Sequence, residues 1–127
     1  MLNLLLVALG GAIGSVVRYV ANDRVRTLLG TGWPSGIFTI NVVGGFAMGC
    51  VVGYLAQRGG ADQERWRVLL GVGVLGGFTT FSAFSLDVAL MIERRAYGQA
   101  AAYSLASVVL SVVALFAGLM LMRRIFA

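Results

Sequence analysis

The chemistry-bearing residues with the clearest spacing lie in one apolar segment, residues 76–85. Phe81 and Phe84 are three residues apart, as are Ser82 and Ser85, so each pair shares one face of a helix. The edge of a phenyl ring carries partial positive charge, so ring edges can face an anion without holding it too strongly for it to leave. Paired rings on one face are also typical of a core or of a lipid-facing surface. The periodicity alone leaves both interpretations open.

Hydrogen-bonding side chains occur in two other apolar segments. Asn41 lies in a segment without charged residues, where a buried amide must find partners or act on a substrate. In the last apolar segment, polar residues recur at every fourth position and form one stripe along a helix: Gln99, Tyr103, Ser107 and Ser111. Such a stripe is typical either of hydrogen bonding between helices or of a permeation track.

Membrane spans must position these residues. The chain has 127 residues, of which 59% are hydrophobic and 12% charged, whereas a soluble domain is about 25% charged. A transmembrane helix needs about 20 mainly apolar residues, and four stretches qualify: residues 2–20, 36–56, 68–92 and 98–122. We therefore expect an all-α membrane protein with four spans, forming a single transmembrane domain over residues 1–127.

The third span has an unusual centre. Its midpoint is residue 80, where paired glycines, Gly76 and Gly77, are followed by Thr79 and Thr80, all poor helix formers. We predict that this helix is broken near its middle. Freed backbone groups are tolerated in a bilayer only where they are buried in protein or line a wet cavity or an ion site. The alternative is a continuous helix whose glycines only pack against a neighbour.

Glycine spacing in the first two spans predicts close helix packing. Span two contains Gly45, Gly49 and Gly53 at every fourth position, and span one contains Gly10 and Gly14. Lipid gives no hydrophobic drive for helix association, so contact between backbones through small residues has to supply it. We expect these faces to carry neighbouring helices.

The ten basic residues are all arginines, and nearly all lie in the short connections. This distribution marks membrane boundaries and lacks the charged face or tail of a nucleic-acid-binding protein, so we expect no nucleic-acid partner. The second loop and the C-terminus share one side of the membrane, and the first and third loops share the other. The first side carries five arginines: Arg58, Arg65, Arg67, Arg123 and Arg124. The second carries four, or five with Arg18: Arg24, Arg26, Arg94 and Arg95.

Insertion of a membrane protein follows the arginine and lysine bias between the two sides. Because this bias is close to zero, we predict that copies insert in both orientations and pair head to tail as an antiparallel homodimer. A single orientation fixed by another determinant is the alternative.

The chain lacks the residues that metal sites and enzyme active sites usually need. The chain has no His and a single cysteine, Cys50, so a zinc or haem site has no ordinary ligand set. No serine, threonine or cysteine is paired with a base, which makes an enzyme the weakest interpretation.

At this point three motifs resemble those of the Fluc fluoride channels. They are GGAIGSVVRY at residues 10–19, NVVGG at residues 41–45 and GGFTTFSAFS at residues 76–85. The likeness covers the whole chain, and the third motif is highly specific. It implies a passive, fluoride-selective channel of a prokaryotic inner membrane that exports fluoride from the cytoplasm and relieves its toxicity. It also implies a dual-topology antiparallel homodimer in membrane lipid, with two pores and a structural sodium ion at the dimer centre.

The resemblance assigns roles by position. Phe81 and Phe84 would be the pair that fluoride passes, and Asn41 a pore-lining amide. The polar track would comprise Tyr103, Ser107 and Ser111, with Ser82 beside it. Some relatives have a hydroxyl where this chain has Ile37, and Thr39 is the candidate substitute. The backbone carbonyls of Gly76 and Thr79 would hold the sodium ion. Arg18 would be an interfacial anchor or a vestibule residue that attracts anions.

Two other classes remain open on the residues alone. A small four-span multidrug or cation transporter needs an acid in the membrane, typically in the first span, which has none here. The only acid within a span is Asp87, about one turn from its end, where it can reach the interface or pair with an arginine. A non-transporting assembly subunit would need only the glycine faces, and it leaves the predicted break and the polar stripe unexplained.

Overall fold

The computed structural model describes residues 1–30 and 32–126, and all secondary structure in these residues is helical. Four stretches are long and apolar enough to cross a membrane, which confirms the predicted architecture. In chain order the helical segments are α1 (Leu2–Leu29), α2 (Ser35–Arg58), a 3₁₀ turn (Gly60–Asp62), α3 (Gln63–Trp66), a π-helix (Arg67–Leu75), α4 (Gly76–Phe78), α5 (Phe81–Glu93) and α6 (Tyr97–Phe126).

The helices continue past the predicted spans. Helix α1 reaches Leu29 rather than ending at residue 20, and α6 has 30 residues. At about 1.5 Å per residue, each of these two helices is over 40 Å long, roughly 10 Å more than the hydrocarbon core of a bilayer. The extra turns of α1 place Asn22 and Arg26 at the end of the molecule where Asp87, Glu93 and Arg94 lie.

The third span is broken at Thr79 and Thr80, as predicted. Thr79 has φ −81° and ψ 156°, and Thr80 has φ −150° and ψ 122°, both extended. Gly76 and Gly77 remain helical in α4. The break therefore occurs at the β-branched residues, which favour extended backbone, and it separates α4 from α5 by two residues.

Helices α2 and α6 are in contact through their backbones. A methyl group added at Gly45 would lie 2.7 Å from the carbonyl oxygen of Ser111, and one at Gly53 would lie 2.9 Å from Cβ of Met122. Between them, Gly49 contacts the carbonyl oxygen of Leu115 even more closely. The predicted glycine face of α2 thus carries α6 along three successive turns.

The two halves of the third span pack against different helices. A methyl group added at Gly10 of α1 would lie 2.7 Å from the carbonyl oxygen of Leu69, in the π-helix, and one at Gly77 would lie 2.7 Å from the carbonyl oxygen of Gly11. Beyond the break, α5 packs against α6 in a buried cluster: Phe84, Met91, Ala100 and Tyr103. The break therefore marks the point where the chain passes from α1 to α6.

Candidate functional site

A threonine hydroxyl supplements the backbone hydrogen bond on one side of the break, where the Thr79 N–H also donates to the Leu75 carbonyl, and another replaces it on the other side. The hydroxyl of Thr79 donates to the carbonyl of Leu75 at 2.9 Å, which finishes the helix that precedes it. The hydroxyl of Thr80 accepts from the backbone N–H of Ala83 at 3.2 Å and so caps the start of α5. Threonine is a favoured residue for such a cap.

Asn41, on α2, forms hydrogen bonds with both backbone groups of Thr80. Its Oδ1 accepts from the backbone N–H of Thr80 at 2.9 Å, and its Nδ2 donates to the carbonyl of Thr80 at 3.1 Å. One side-chain amide thus pairs with both backbone groups of one residue, which would otherwise be costly to bury. Among the described residues the second Nδ2 hydrogen has no acceptor, so it remains available to a ligand.

Because these hydrogen bonds replace helical ones, two backbone carbonyls lose their usual helical donors. In a continuous helix the N–H of Thr80 would donate to the carbonyl of Gly76, and that of Ala83 to the carbonyl of Thr79. The first N–H goes to Asn41 and the second to the Thr80 hydroxyl. The carbonyls of Gly76 and Thr79 therefore lose their usual helical donors.

A groove of about 360 Å³ lies beside the break. Among the described residues no charged side chain lines it, and its polar lining comes from α2, α6 and the break itself: Asn41, Thr79, Thr80, Ser107 and Ser111. The hydroxyls of Ser107 and Ser111 are buried without a hydrogen-bond partner among the described residues. Since a buried hydroxyl strongly favours a partner, both are available to a ligand in the groove.

The two phenylalanines of α5 meet in this groove. Their ring centroids are 5.6 Å apart and the rings are tilted by 46°. Phe84 is 8% exposed and lies against the ring of Tyr103, whereas Phe81 is 76% exposed and projects from the chain. The structure thus places Phe81 and Phe84 together with Ser107 and Ser111 in the lining of one groove.

Comparison with known proteins identifies the family. The family model for CrcB-like protein, Camphor Resistance (CrcB), matches residues 5–119. A protein of Phenylobacterium zucineum is 67% identical over 124 residues, which are 98% of this chain and 98% of that protein. One of Caulobacter vibrioides (strain NA1000 / CB15N) is 62% identical over 125 residues, again 98% of each. One of Agrobacterium fabrum is 50% identical over 126 residues, 99% of this chain and 100% of that protein.

The chain belongs to the CrcB family. The three relatives are each named fluoride-specific ion channel FluC. The family that the sequence motifs predicted is thereby confirmed. Together with four membrane-crossing helices, these bacterial relatives make the chain a multi-pass protein of the inner membrane.

In this CrcB chain, Tyr103 has an acidic partner. Its hydroxyl donates to Oδ2 of Asp87 at 3.1 Å. Asp87 forms no ion pair with Arg18, Arg94 or Arg95 in the part of the chain that the structure describes. The sequence suggested an arginine as the partner of Asp87. It did not predict Tyr103, because Asp87 and Tyr103 lie on different helices, α5 and α6, which meet across a turn.

A second cavity opens at the end of the molecule where Asp87 lies. Its volume is about 610 Å³, and its charged lining comprises Arg26, Asp87, Glu93 and Arg94. Trp33 forms part of its wall. We call it the mouth cavity. Asp87 lines this cavity and also bonds to Tyr103, so the mouth cavity and the buried face of α6 meet at this carboxylate.

Three predicted pathway residues, Thr39, Ser82 and Tyr103, lie outside the groove lining, as does Arg18, the predicted vestibule residue or interfacial anchor. Thr39 is two positions before Asn41 on α2, and residues at that spacing face opposite sides of a helix. Ser82 is exposed, and its hydroxyl lies 3.3 Å from that of Thr80. Arg18 is half-buried on α1, and neither the groove nor the mouth cavity includes it. Their roles remain predictions.

Proposed function

We propose that this chain is a fluoride-selective ion channel that exports fluoride passively from the cytoplasm and so relieves its toxicity. The observation that carries the proposal is the groove, where unpartnered hydroxyls of Ser107 and Ser111 lie beside the phenyl rings of Phe81 and Phe84. The names of the relatives agree with it. An enzymatic function is set aside, since the family is one of ion channels.

The chemistry of the groove suits a small, strongly hydrated anion. Fluoride leaves water only where hydrogen-bond donors replace its hydration shell. Asn41 offers one amide hydrogen, Ser107 and Ser111 offer hydroxyls, and the phenylalanine ring edges offer weaker positive charge. Since no fixed positive charge lines the groove, an anion stabilised there is also free to leave.

A second copy of the chain completes this pathway in our proposal. The groove is open on one side, and Phe81, Val108 and Val112 at its edge are exposed in one subunit. An antiparallel copy would cover this face, in agreement with the balanced arginine count on the two sides. Membrane lipid would surround the remaining apolar helix surfaces. Two copies would supply two groove linings and hence two pores.

We infer from the ligand chemistry that a sodium ion binds at the break. Carbonyl oxygens are hard ligands that suit a small monovalent cation, and the carbonyls of Gly76 and Thr79 have lost their helical donors. Two oxygens are too few for one ion, so a second copy would have to contribute the same pair. The ion would then cross-link the two breaks.

The strongest competing class is a proton-coupled transporter of cationic drugs. Its proton-exchanging acid should be free to titrate inside a cavity of the membrane span. Here the only acid within a predicted span is Asp87, which lines the mouth cavity near the end of the third span and accepts a hydrogen bond from Tyr103. The predicted first span, where such a carrier typically has its acid, contains none. Helix α1 carries Asp23 only in its extension beyond the predicted span. This arrangement favours a channel over such a carrier.

Ion efflux from liposomes tests the proposal. Purified protein is reconstituted into vesicles loaded with fluoride or chloride, and release is recorded with ion-selective electrodes without a proton gradient. Rapid loss of fluoride with retention of chloride is the expected result. Retention of fluoride by vesicles that contain demonstrably dimeric protein would contradict it and favour the carrier or the assembly subunit.

A further inference from the structure

A row of five aromatic rings connects the mouth cavity with the groove. In order the rings belong to Trp33, Phe38, Tyr103, Phe84 and Phe81, and successive centroids are 5.3, 6.5, 5.2 and 5.6 Å apart. All four distances lie within the range of favourable aromatic pairs, about 4.5–7 Å. Phe84 and Phe81 already belong to the proposed pathway, and Tyr103 is a track residue that the family resemblance predicts. Trp33 and Phe38 have no role in it so far.

The backbone of Trp33 is held firmly at the start of α2. The backbone N–H of Ser35 donates to the Trp33 carbonyl at 2.7 Å, and Ser35 is completely buried. Pro34 restricts the residue before it to extended conformations. The carbonyl of Pro34 in turn accepts from the N–H of Phe38 at 3.1 Å. A short, rigid connection therefore joins the two rings.

Phe38 links Trp33 to Tyr103, because its ring lies between theirs. It is partly buried and packs against the cluster that contains Phe84 and Tyr103. Trp33 is 39% exposed, lines the mouth cavity and packs its ring at 5.3 Å from the ring of Phe38. Without the indole ring, Phe38 would face the cavity and could move out of its contact with Tyr103.

We propose that Trp33 is a positioning residue for the fluoride pathway. By supporting Phe38, it keeps the Tyr103 ring in the orientation in which its hydroxyl reaches Asp87 and its face contacts Phe84. The inference rests on the proposed function. Trp33 itself lies in the wall of the mouth cavity and is not among the described residues that line the groove.

Fluoride efflux tests the role in conduction. Trp33→Leu should lower the initial rate by roughly two- to tenfold, the effect of losing one aromatic pair, and Trp33→Phe should restore most of it. Trp66→Leu is the control, because Trp66 is an exposed tryptophan outside this row. In a Tyr103→Phe background, which lacks the hydroxyl but keeps the ring against Phe84, Trp33→Leu should cause a smaller further loss. An undiminished loss there, or none in the single variant, would overturn the proposal.

Fluorescence tests the coupling without any conduction. The chain has two tryptophans, so in Trp66→Phe protein all indole emission comes from Trp33. Tyr103→Leu should shift this emission to the red and increase its quenching by acrylamide, although Phe38 lies between the two rings. Tyr54→Leu, whose ring packs on Phe126 instead, should leave both unchanged. Tyr103→Met replaces Tyr103→Leu if the latter does not fold.

The two measurements separate this inference from the proposed function. Unchanged Trp33 emission after replacement of Tyr103 would reject the coupling, whatever the vesicles release. A shifted emission in a protein that releases no fluoride would keep the coupling and reject the channel.

Discussion

Asn41 and Thr80 are joined by two hydrogen bonds, one of 2.9 Å to the N–H of Thr80 and one of 3.1 Å to its carbonyl. They lie 39 residues apart in the sequence, on α2 and at the break of the third span. The pair fixes the break to α2 and leaves one amide hydrogen of Asn41 without an acceptor among the described residues. It therefore links the integrity of the fold to the proposed pathway.

Asn41→Asp should damage both the fold and the proposed pathway. The carboxylate would retain an acceptor for the Thr80 N–H, but it would place an oxygen against the Thr80 carbonyl and a negative charge in the groove. We expect loss of fluoride efflux and a decrease in the free energy of unfolding by about 1–3 kcal/mol. Efflux and thermal unfolding measure the two effects. Asn3→Asp, at an exposed position of α1, is the control, and equal behaviour of the two variants would contradict the expectation.

Phe81→Ile and Phe84→Ile should both abolish fluoride efflux, because each removes a phenyl ring edge from the groove. The two variants should differ in their effect on stability. Phe84 is buried against Tyr103 and Phe81 is 76% exposed, so only Phe84→Ile should destabilise the subunit, by about 1–3 kcal/mol. Phe116→Ile, at an exposed position of α6, should change neither. Normal efflux in both groove variants would remove the phenylalanines from the pathway.

Ser107→Ala and Ser111→Ala should lower fluoride efflux without loss of stability. Neither hydroxyl has a partner among the described residues, so removing it breaks no hydrogen bond of the fold and eliminates a polar group from the interior. We expect unchanged or slightly higher melting temperatures, with efflux lower by about tenfold for the loss of one donor. Ser104→Ala, off this stripe of α6, is the control. A marked drop in melting temperature would indicate a structural role instead.

Gly49→Ala should separate α2 from α6. Its new methyl group would collide with the carbonyl oxygen of Leu115, which is backbone and cannot turn away. We expect a destabilisation of about 1–3 kcal/mol in chemical denaturation. Gly98→Ala is the matched control, since nothing lies within 4 Å of its added methyl group. It should be neutral or stabilising by up to about 1 kcal/mol, because alanine favours helix over glycine.

Replacement of sodium by a large organic cation should weaken the proposed dimer. A ligand that binds only the native state stabilises it in proportion to the logarithm of its concentration. We therefore expect the dimer to dissociate at lower detergent or denaturant concentration without sodium, and the effect to vanish in Thr79→Pro, whose altered backbone disturbs the carbonyl pair. Size-exclusion chromatography in the two salts measures it. An identical profile for the native chain in both salts would rule out a stabilising sodium ion.

The sequence predicted the four spans and the break well, because both depend on local composition. Long apolar stretches define spans, and two threonines after paired glycines at residue 80 define the break. The π-helix at Arg67–Leu75 has no comparable local signal, since glycines and leucines occur in every span of this chain. The hydrogen bond from Tyr103 to Asp87 was missed because its two residues lie on different helices, and spacing within one helix does not reveal such contacts.

The glycine contact between α2 and α6 also determines when the subunit acquires its pathway during synthesis. Helix α2 enters the membrane early, but its smooth face has no partner until the last helix of the chain has left the ribosome. Ser107, Ser111 and Tyr103 arrive on that same helix. A nascent or truncated chain that ends before α6 therefore lacks one wall of the groove and the hydroxyls of Ser107 and Ser111, so unfinished copies do not contain the proposed pathway.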